Sequence, residues 1–589
     1  MNVHDLNKIK SLSTNPLTKL MLLQLRFCAW LLATGLLFST VVAQTPVPIN
    51  GSTALEATLK PGNSHEYALR LARGELAEIV VHQQGVDVVV ELTSPGGKLL
   101  DTIDGPTGRN GDEVFEIIAE ENGDYRIRVR PIDSNEPTGS YRLEVKALRG
   151  TRETAELLRA RQEARDSAAG WLRSRSVAMP RSGVLSNNAK VPPLDELAAR
   201  VKVLGLGEAT HGSREFGDLR FSLTRHLIER YGYRVVAIEA SANTLELLTP
   251  YVNGESEPTP AMTRLIESEI WIGRRTRREL YAWVHRWNKE HPRDRVRIVG
   301  VDTQDNGGSR ETLRAFIGRA YGEDLLKRWA PAERDLAAAD EQTAVFGDSG
   351  VDAASRQLVL EIVAMLELDA PLLRSRFGAP AVDSAMQAAR TLAEFSDFNA
   401  GAGAINHSRD WYMATRVLRA LEESPSTKVL YWAHNAHVTH RQSSYRTTGA
   451  LLREALGCDY AALAVTFGEG AFVAQIPNDL EDRLAVSVLP SAPDESIDSV
   501  LSGLHSDGAL AAWTCGTPPG SVNIESVPEW LRKAHLMHWV GGLYAPGTAP
   551  SAAFRSFDLL RDFDGVIFLP RVTGDEMPTD RPLIPARKR

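Results

Sequence analysis

Apolar and polar positions along the chain follow two different rhythms. From His65 to Leu148 they alternate, as in "HEYALRL", "ELAEIVVHQ", "VDVVVELTSPGGKLL", "EVFEIIAE", "GDYRIRVR" and "GSYRLEVKAL". Alternation with period two predicts strands buried on one face, and Pro95-Gly96-Gly97 predicts a turn. "GDYRIRV" and "GSYRLEV" are near-copies, each a Gly-x-Tyr entering a strand. Six or seven such strands are enough for a small β-sandwich.

Thr151 to Ser176 is charge-rich and helix-forming, and "VAMPRSGVLSNNAKVPP" then predicts a loosening of the chain. Beyond about Leu194 the rhythm changes. Continuous apolar runs recur in "VKVLGLGE", "YRVVAIEA", "RVRIVGVDTQ", "TKVLYWAHNAH", "YAALAVTFGEG" and "FDGVIFLP", most of them separated by long helical stretches. Runs of this kind predict parallel strands covered on both faces. Between Gln304 and Ile405 an Ala-, Leu-, Glu- and Arg-rich segment predicts an inserted helical subdomain. The fold class expected is a three-layer α/β domain with a mostly parallel sheet and a helical insertion, preceded by a small all-β sandwich.

Length changes this picture little, because 589 residues already require two or three domains. The expected division is a signal peptide at 1–43, a sandwich at 50–148, a helical linker at 149–190 and the α/β domain at 191–589. The signal peptide rests on the apolar run Phe27–Val42, flanked by Lys19 and Arg26, with small residues Val41 and Ala43 before Gln44. Counted from Met21, the leader has ordinary length. The run is short for a membrane span, so export to the periplasm or medium is the expectation, with membrane contact only through an uncleaved leader.

The formal charge of −8 argues against nucleic-acid binding. The one dense basic cluster, Arg274, Arg275, Arg277 and Arg278, reads as a solvated helix face or an anion site. Cys28 lies in the leader, and Cys458 and Cys515 could pair; neither sits in a metal-binding or nucleophile motif.

Candidate chemistry collects at strand ends. The first α/β strand ends at Glu208 and reaches His211, the second ends at Glu239, the third at Asp302, and the fourth at His434 with His437 behind it. In open parallel sheets this carboxyl edge is where ligands bind. His211 sits on a turn that Ser213 can N-cap, where an imidazole can take a proton near neutral pH and Glu208 can orient it. An ordinary polar loop gives the same letters. Arg220, at the edge of the stripe Phe216, Leu219, Leu223 and Leu227, can reach a carboxylate or oxyanion, or snorkel at the surface. The spacing of His434 and His437 suits zinc, a base with an electrophile, or a buried structural pair. Arg409, in the first turn of its helix, opposes the helix-dipole preference and so has another reason for its place.

No Gly-x-Ser-x-Gly elbow, GxGxxG spacing or phosphate loop occurs. Water activation by histidine and carboxylate is the natural chemistry. A metal-dependent hydrolase or peptidase using Glu208, His211, Glu239 and His437 is one alternative. A non-catalytic module that captures haem, a glycan or a cell-wall component is another.

"GLGEATHGSREF", "VVAIEA", "RIVGVDTQ", "RDWYMA" and "YWAHNAHV", in this order, resemble the erythromycin esterase family from about Leu194 onward. The resemblance implies serine-independent ester hydrolysis, which in antibiotic-inactivating members opens macrolide lactones without a bound metal or other cofactor. It implies that His211 is the general base and Glu208 its companion acid. Glu239, His434 and His437 then share the catalytic pocket, and Arg220 and Arg409 contact substrate. The partner implied is a small-molecule ester or lactone. The alternating segment resembles the pre-peptidase C-terminal type of sandwich, an accessory module expected to bind another protein or a glycan.

Overall fold

The computed structural model describes residues 45–577, apart from 106–107, 187, 261, 264–272, 305, 343–349, 401–406, 424–426, 442–445, 478–482 and 514–525. The predicted leader and Cys515 lie outside the described residues. The chain divides into two compact units, one ending at Leu148 and the other running from Arg149 onward with 102–106.

The first unit is all β. Its strands are β1 (Val47–Ile49), β2 (Ala54–Leu59), β3 (His65–Leu71), β4 (Leu76–Gln84), β5 (Val88–Thr93), β6 (Leu99–Ile103), β7 (Asn110–Ile118), β8 (Gly123–Pro131) and β9 (Gly139–Arg149). They form two sheets, ordered β1-β3-β8-β5-β6 and β2-β9-β4-β7. The sheets face one another. Tyr67 of β3 and Tyr141 of β9 share a 2.6 Å hydrogen bond between hydroxyls, and His65 Nδ1 lies 2.7 Å from the Tyr141 hydroxyl. The alternating residues Tyr67, Leu69, Leu71, Ile127, Val129 and Leu143 are buried between them. The Gly-x-Tyr repeat thus places its tyrosines, Tyr125 and Tyr141, in opposite sheets. At the predicted turn Gly97 adopts φ 86°, a left-handed conformation that costs glycine little. Strands β1 and β2 are additions to the predicted set. They are short, and β2 shows only partial alternation of burial.

The second unit is α/β. Its nine-stranded sheet uses β10 (Ser176–Ala178), β11 (Val203–Leu206), β12 (Tyr233–Ser241), β13 (Arg297–Asp302), β14 (Lys428–Trp432), β15 (Tyr460–Gln475), β16 (Leu484–Leu489), β17 (Ala509–Ala512) and β20 (Gly565–Val572). The order is β10-β17-β20-β15-β11-β14-β12-β13, with β16 paired to β15. The pairs from β20 through β13 are parallel, and β10, β16 and β17 are antiparallel additions. A separate ribbon pairs β18 (His535–His538) with β19 (Phe554–Phe557).

Both faces of the sheet are covered, which explains the unbroken apolar runs. One layer sets Phe216, Leu219, Leu223 and Leu227 of the helix Arg214–Tyr231 against Leu204, Leu206, Val236 and Leu430. The other sets Met413, Val417 and Leu421 of the helix Arg409–Glu422 against Val203, Tyr431 and Ala462. The helix Thr151–Arg173 belongs to that second layer through Ala168, Trp171 and Leu172. The chain does not loosen directly after it, because β10 joins the sheet beside β17. Among the described residues the predicted helical insertion forms four helices, Gly307–Ala320, Glu323–Gln342, Ala353–Phe377 and Ala379–Phe398, sharing a core around Trp329, Leu366 and Phe395. Cys458 is disulfide-bonded. Among the described residues no helix is long and apolar enough to cross a membrane.

Candidate functional site

Strands β11, β14, β12 and β13 are consecutive neighbours in one parallel array, so their carboxyl ends form one edge. Glu208 and His211 follow β11, His434 and His437 follow β14, Glu239 lies near the end of β12, and Asp302 ends β13. The turn after β11 is held on three sides by backbone. Asn435 N–H donates to Glu208 O at 2.9 Å, Gly207 N–H to Leu463 O at 2.9 Å, and Val540 N–H to Ala209 O at 2.8 Å. A Cβ at Gly212 would lie 1.8 Å from Val473 O, so only glycine permits that approach. Ser213 caps the following helix, accepting from Phe216 N–H at 3.3 Å, as its sequence position predicts.

Glu208 is buried and divides its two oxygens. Oε1 lies 2.8 Å from His211 Nδ1, and Oε2 meets Arg220 Nη1 in an ion pair. Burial disfavours its charge, but the Arg220 guanidinium and the His211 hydrogen bond outweigh that, holding the carboxyl down at about 2. Arg220 does not snorkel. It is 7% exposed, and its guanidinium lies over the Trp432 ring at 4.6 Å. An ionised Glu208 accepts from His211 Nδ1–H, which leaves Nε2 with the free lone pair. Among the described residues that nitrogen has no hydrogen-bond partner.

The other two histidines are fully engaged, in opposite charge states. His434 Nδ1 accepts from Ala436 N–H at 3.1 Å and caps the short helix Asn435–Val438, while Nε2–H donates to Ala209 O at 3.2 Å. Burial, followed by the charge of nearby His211, pushes its pKa down to about 3, so the ring is neutral. Its ring centroid lies 5.4 Å from that of His211, and 4.9 Å from Trp539 in a T-shaped pair.

His437 sits between carboxylates, with Nδ1 2.9 Å from Asp410 Oδ1 and Nε2 3.3 Å from Glu239 Oε1. Burial opposes its charge, but Asp410 and Glu239 raise its pKa to about 10. We assign an imidazolium that donates to both acids. The 3.1 Å approach of Arg409 Nη1 to Nε2 is then a contact between two cations sharing Glu239.

Arg409 ties this half of the site together. Nε and Nη2 donate to the two oxygens of Asp302 at 2.9 and 2.7 Å, and Nη2 also donates to Glu239 Oε1 at 2.8 Å. These carboxylates account for an arginine in a first helical turn. Glu239 Oε2 in addition accepts the His434 backbone N–H at 2.7 Å. Although burial opposes it, the surrounding cations, His437 foremost, hold Glu239 well below the usual carboxylate range.

The edge therefore has two parts: a Glu208–His211–Arg220 corner with one free ring nitrogen, and a closed network of Glu239, Asp302, Arg409, Asp410 and His437. Each predicted site residue belongs to one part or, like His434, lies between them. The four side chains of the metal alternative spend donor atoms on each other and on Arg220, Arg409 and Asp410. Among the described residues no group of three or more His, Cys, Asp or Glu is arranged to hold a metal ion.

Asp302 is expected at this edge without an assigned role, and Asp410, Trp432 and Trp539 are not among the expected site residues. Asp302 ends its strand as the other acids do. Asp410 adjoins Arg409, is fully buried, and is fixed by Thr448 N–H at 2.6 Å and its hydroxyl at 2.8 Å. Trp432 precedes His434 by two residues. Trp539 has no signal in the sequence, arriving from a distant segment that hydrogen-bonds to the His211 turn.

The raised pKa of His437 fixes a pH dependence of stability. Its contribution is complete below the unfolded value of 6.5 and is lost as pH rises through about 10. The stability gap between the wild type and His437→Gln, measured by denaturant unfolding, is expected to narrow between about pH 6 and about pH 10. A constant gap would mean a neutral ring.

Comparison with known proteins agrees with this architecture. The erythromycin esterase family profile matches residues 228–572, more than half of the chain. Glu208, His211 and Arg220 precede the matched stretch. Erythromycin esterase type II of Escherichia coli is 22% identical over 437 residues, covering 69% of this chain and 98% of that protein. Erythromycin esterase type I of Escherichia coli is 23% identical over 293 residues, covering 45% and 70%. A solved Bacillus cereus protein, 18% identical, superposes with a TM-score of 0.56 over 70% of this chain and 99% of that one, a likeness of fold. The chain belongs to the erythromycin esterase family.

Proposed function

We propose that the chain is an exported hydrolase of ester or lactone bonds in which His211 activates water. The observation that carries this reading is the free Nε2 of His211, beside two histidines whose ring nitrogens are all engaged. In this scheme Nε2 takes a proton from water while the water oxygen attacks the ester carbonyl carbon. The carbonyl π electrons move to oxygen, giving a tetrahedral oxyanion. Arg220, with a buried Nε–H that lacks a partner, supplies positive charge next to it. Collapse breaks the bond to the alkoxide, which recovers the proton from His211 Nε2–H. The products are an alcohol and a carboxylic acid, which releases its proton to bulk water to become the carboxylate.

Glu208 stays ionised throughout and stabilises the imidazolium. The Glu239–Arg409–His437 network and neutral His434 position the turn from below rather than exchanging protons, because their polar atoms are already committed. Macrolide lactones are the first substrates to test, given the names of the relatives. Purified protein incubated with erythromycin and with simple esters is expected to add the mass of one water to at least one of them. No turnover of any ester, with or without added Zn²⁺ or Mn²⁺, would reject the reading. Export follows the same proposal: N-terminal sequencing of the mature protein is expected to begin at Gln44. The β unit is proposed to bind a protein or glycan outside the reaction.

A further inference from the structure

We propose that the first turn of the helix Arg274–Glu290 forms a carboxylate-binding subsite in the same cleft as His211. Resting on the hydrolase reading above, the preferred substrates are then esters that carry a second, free carboxylate.

The cleft is lined by Glu208, His211, Arg220, Thr276, Arg277 and Trp432, with Gly217 and Gly273 in its walls. Three observations there point to an anion. First, Arg277 has no carboxylate partner among the described residues, whereas Arg220, Arg275, Arg278 and Arg409 each have one. Arg220 pairs with Glu208, Arg409 with Asp302 and Glu239, Arg275 with Asp218 and Glu279, and Arg278 with Glu576. Arg277 makes one long contact, 3.4 Å from Nη2 to the main-chain oxygen of Glu239. The Glu239 carboxylate is occupied by Arg409, His437 and the His434 amide, so it does not neutralise Arg277.

Second, the Thr276 hydroxyl lacks a hydrogen-bond partner although the residue is only 3% exposed. It faces Gly217 across the cleft wall, where an added Cβ would lie 2.1 Å from Oγ1. A buried hydroxyl without a partner is costly unless a ligand satisfies it. Third, the helix has 17 residues, follows Gly273 at its N-cap position with no side-chain cap, and has no acidic residue in its first turn. Its first amide N–H groups and its dipole favour an anion. Gly273 packs against the His211 carbonyl, a Cβ there lying 3.6 Å from that oxygen, so the helix start abuts the catalytic turn.

A guanidinium, a hydroxyl and uncapped amides are the donors a carboxylate needs, and Arg277 can engage it through two parallel N–H groups. The scissile carbonyl must lie at His211 Nε2, and a second carboxyl group on the same small molecule would reach this turn.

Succinate serves as the binding probe, followed by calorimetry on the full chain. Monomethyl and dimethyl succinate serve as matched anionic and neutral esters. Arg277→Gln is expected to weaken succinate binding roughly tenfold or more, since hydrogen bonds to charged groups are worth that factor. It is expected to raise KM for the monomethyl ester similarly, with kcat and dimethyl ester turnover unchanged. Arg277→Lys, which keeps the charge but loses the fork, should fall between. His211→Ala should bind succinate as the wild type does while its turnover of both esters falls by about 10²-fold or more. Equal succinate binding by wild type and Arg277→Gln would overturn the subsite. So would an equal fall in kcat on both esters, which would place Arg277 at the oxyanion. Arg277-dependent succinate binding in a wild type that hydrolyses neither ester would support the subsite and reject the hydrolase reading alone.

Discussion

Arg409→Met is expected to destabilise the α/β unit by about 3–5 kcal/mol, the usual cost of removing one partner from a buried ionic network. Methionine fills much of the volume, so the loss is electrostatic rather than a cavity. Without the guanidinium, Asp302 loses the bidentate partner to both its oxygens, and Glu239 keeps only His437 and the His434 amide. Three buried acids, Glu239, Asp302 and Asp410, would then face the single cation His437. Chemical denaturation monitored by tryptophan fluorescence measures the difference. Double replacement, Arg409→Met with Asp302→Asn, should recover part of it, because the amide needs no counter-charge. A loss below about 1 kcal/mol, typical of exposed pairs, would show that the network is solvated and not the closed structure described here.

Glu208→Gln is expected to lower kcat by about 10²–10⁴ and also to cost stability, because it leaves the buried Arg220 guanidinium without its counter-charge. The amide is nearly isosteric, so the turn keeps its backbone bonds. It does not carry the charge that stabilises the His211 imidazolium, and its NH2 group can leave the ring in the wrong tautomer. Replacing the orienting acid of a histidine base in other hydrolases has effects of this size. Arg220 would at the same time lose its ion pair while remaining over Trp432. The measurement is kcat on the best ester substrate as a function of pH. Because Glu208 is ionised down to about 2, its own protonation does not shape the wild-type profile above that pH. Unchanged kcat in Glu208→Gln would remove the acid from the chemistry.

Much of this site was legible in the sequence because it rests on local order. Each of the four strands has an apolar core, and an ionisable residue stands at or within two or three residues of its carboxyl end, so Glu208, Glu239, Asp302 and His434 mark one edge in the sequence itself. Arg409 was legible as an arginine at odds with its helix dipole. The states of these groups were not legible. His434 is neutral and His437 charged, although the two lie three residues apart on one turn. What separates them is Asp410, 27 residues before His437, and Glu239, 195 residues before His434. Arg220 was ambiguous for the same reason: its position at a stripe edge fits both a snorkel and a buried pair, and only the fold of the β11 turn brings Glu208 to it. The short strands β1 and β2 offered too few residues for a period to register. Thr276 was missed because its significance is a missing partner, which no pattern encodes. Trp539 reaches His434 through a chain crossing that no local rule anticipates.

The central claim is that water is activated at His211 Nε2. The direct measurement is product formation by mass spectrometry, wild type beside His211→Ala, on whichever ester or lactone the wild type opens. The account predicts addition of one water by the wild type, a fall of about 10²-fold or more in His211→Ala, and the same folded stability for both. Equal turnover by the two proteins would contradict it.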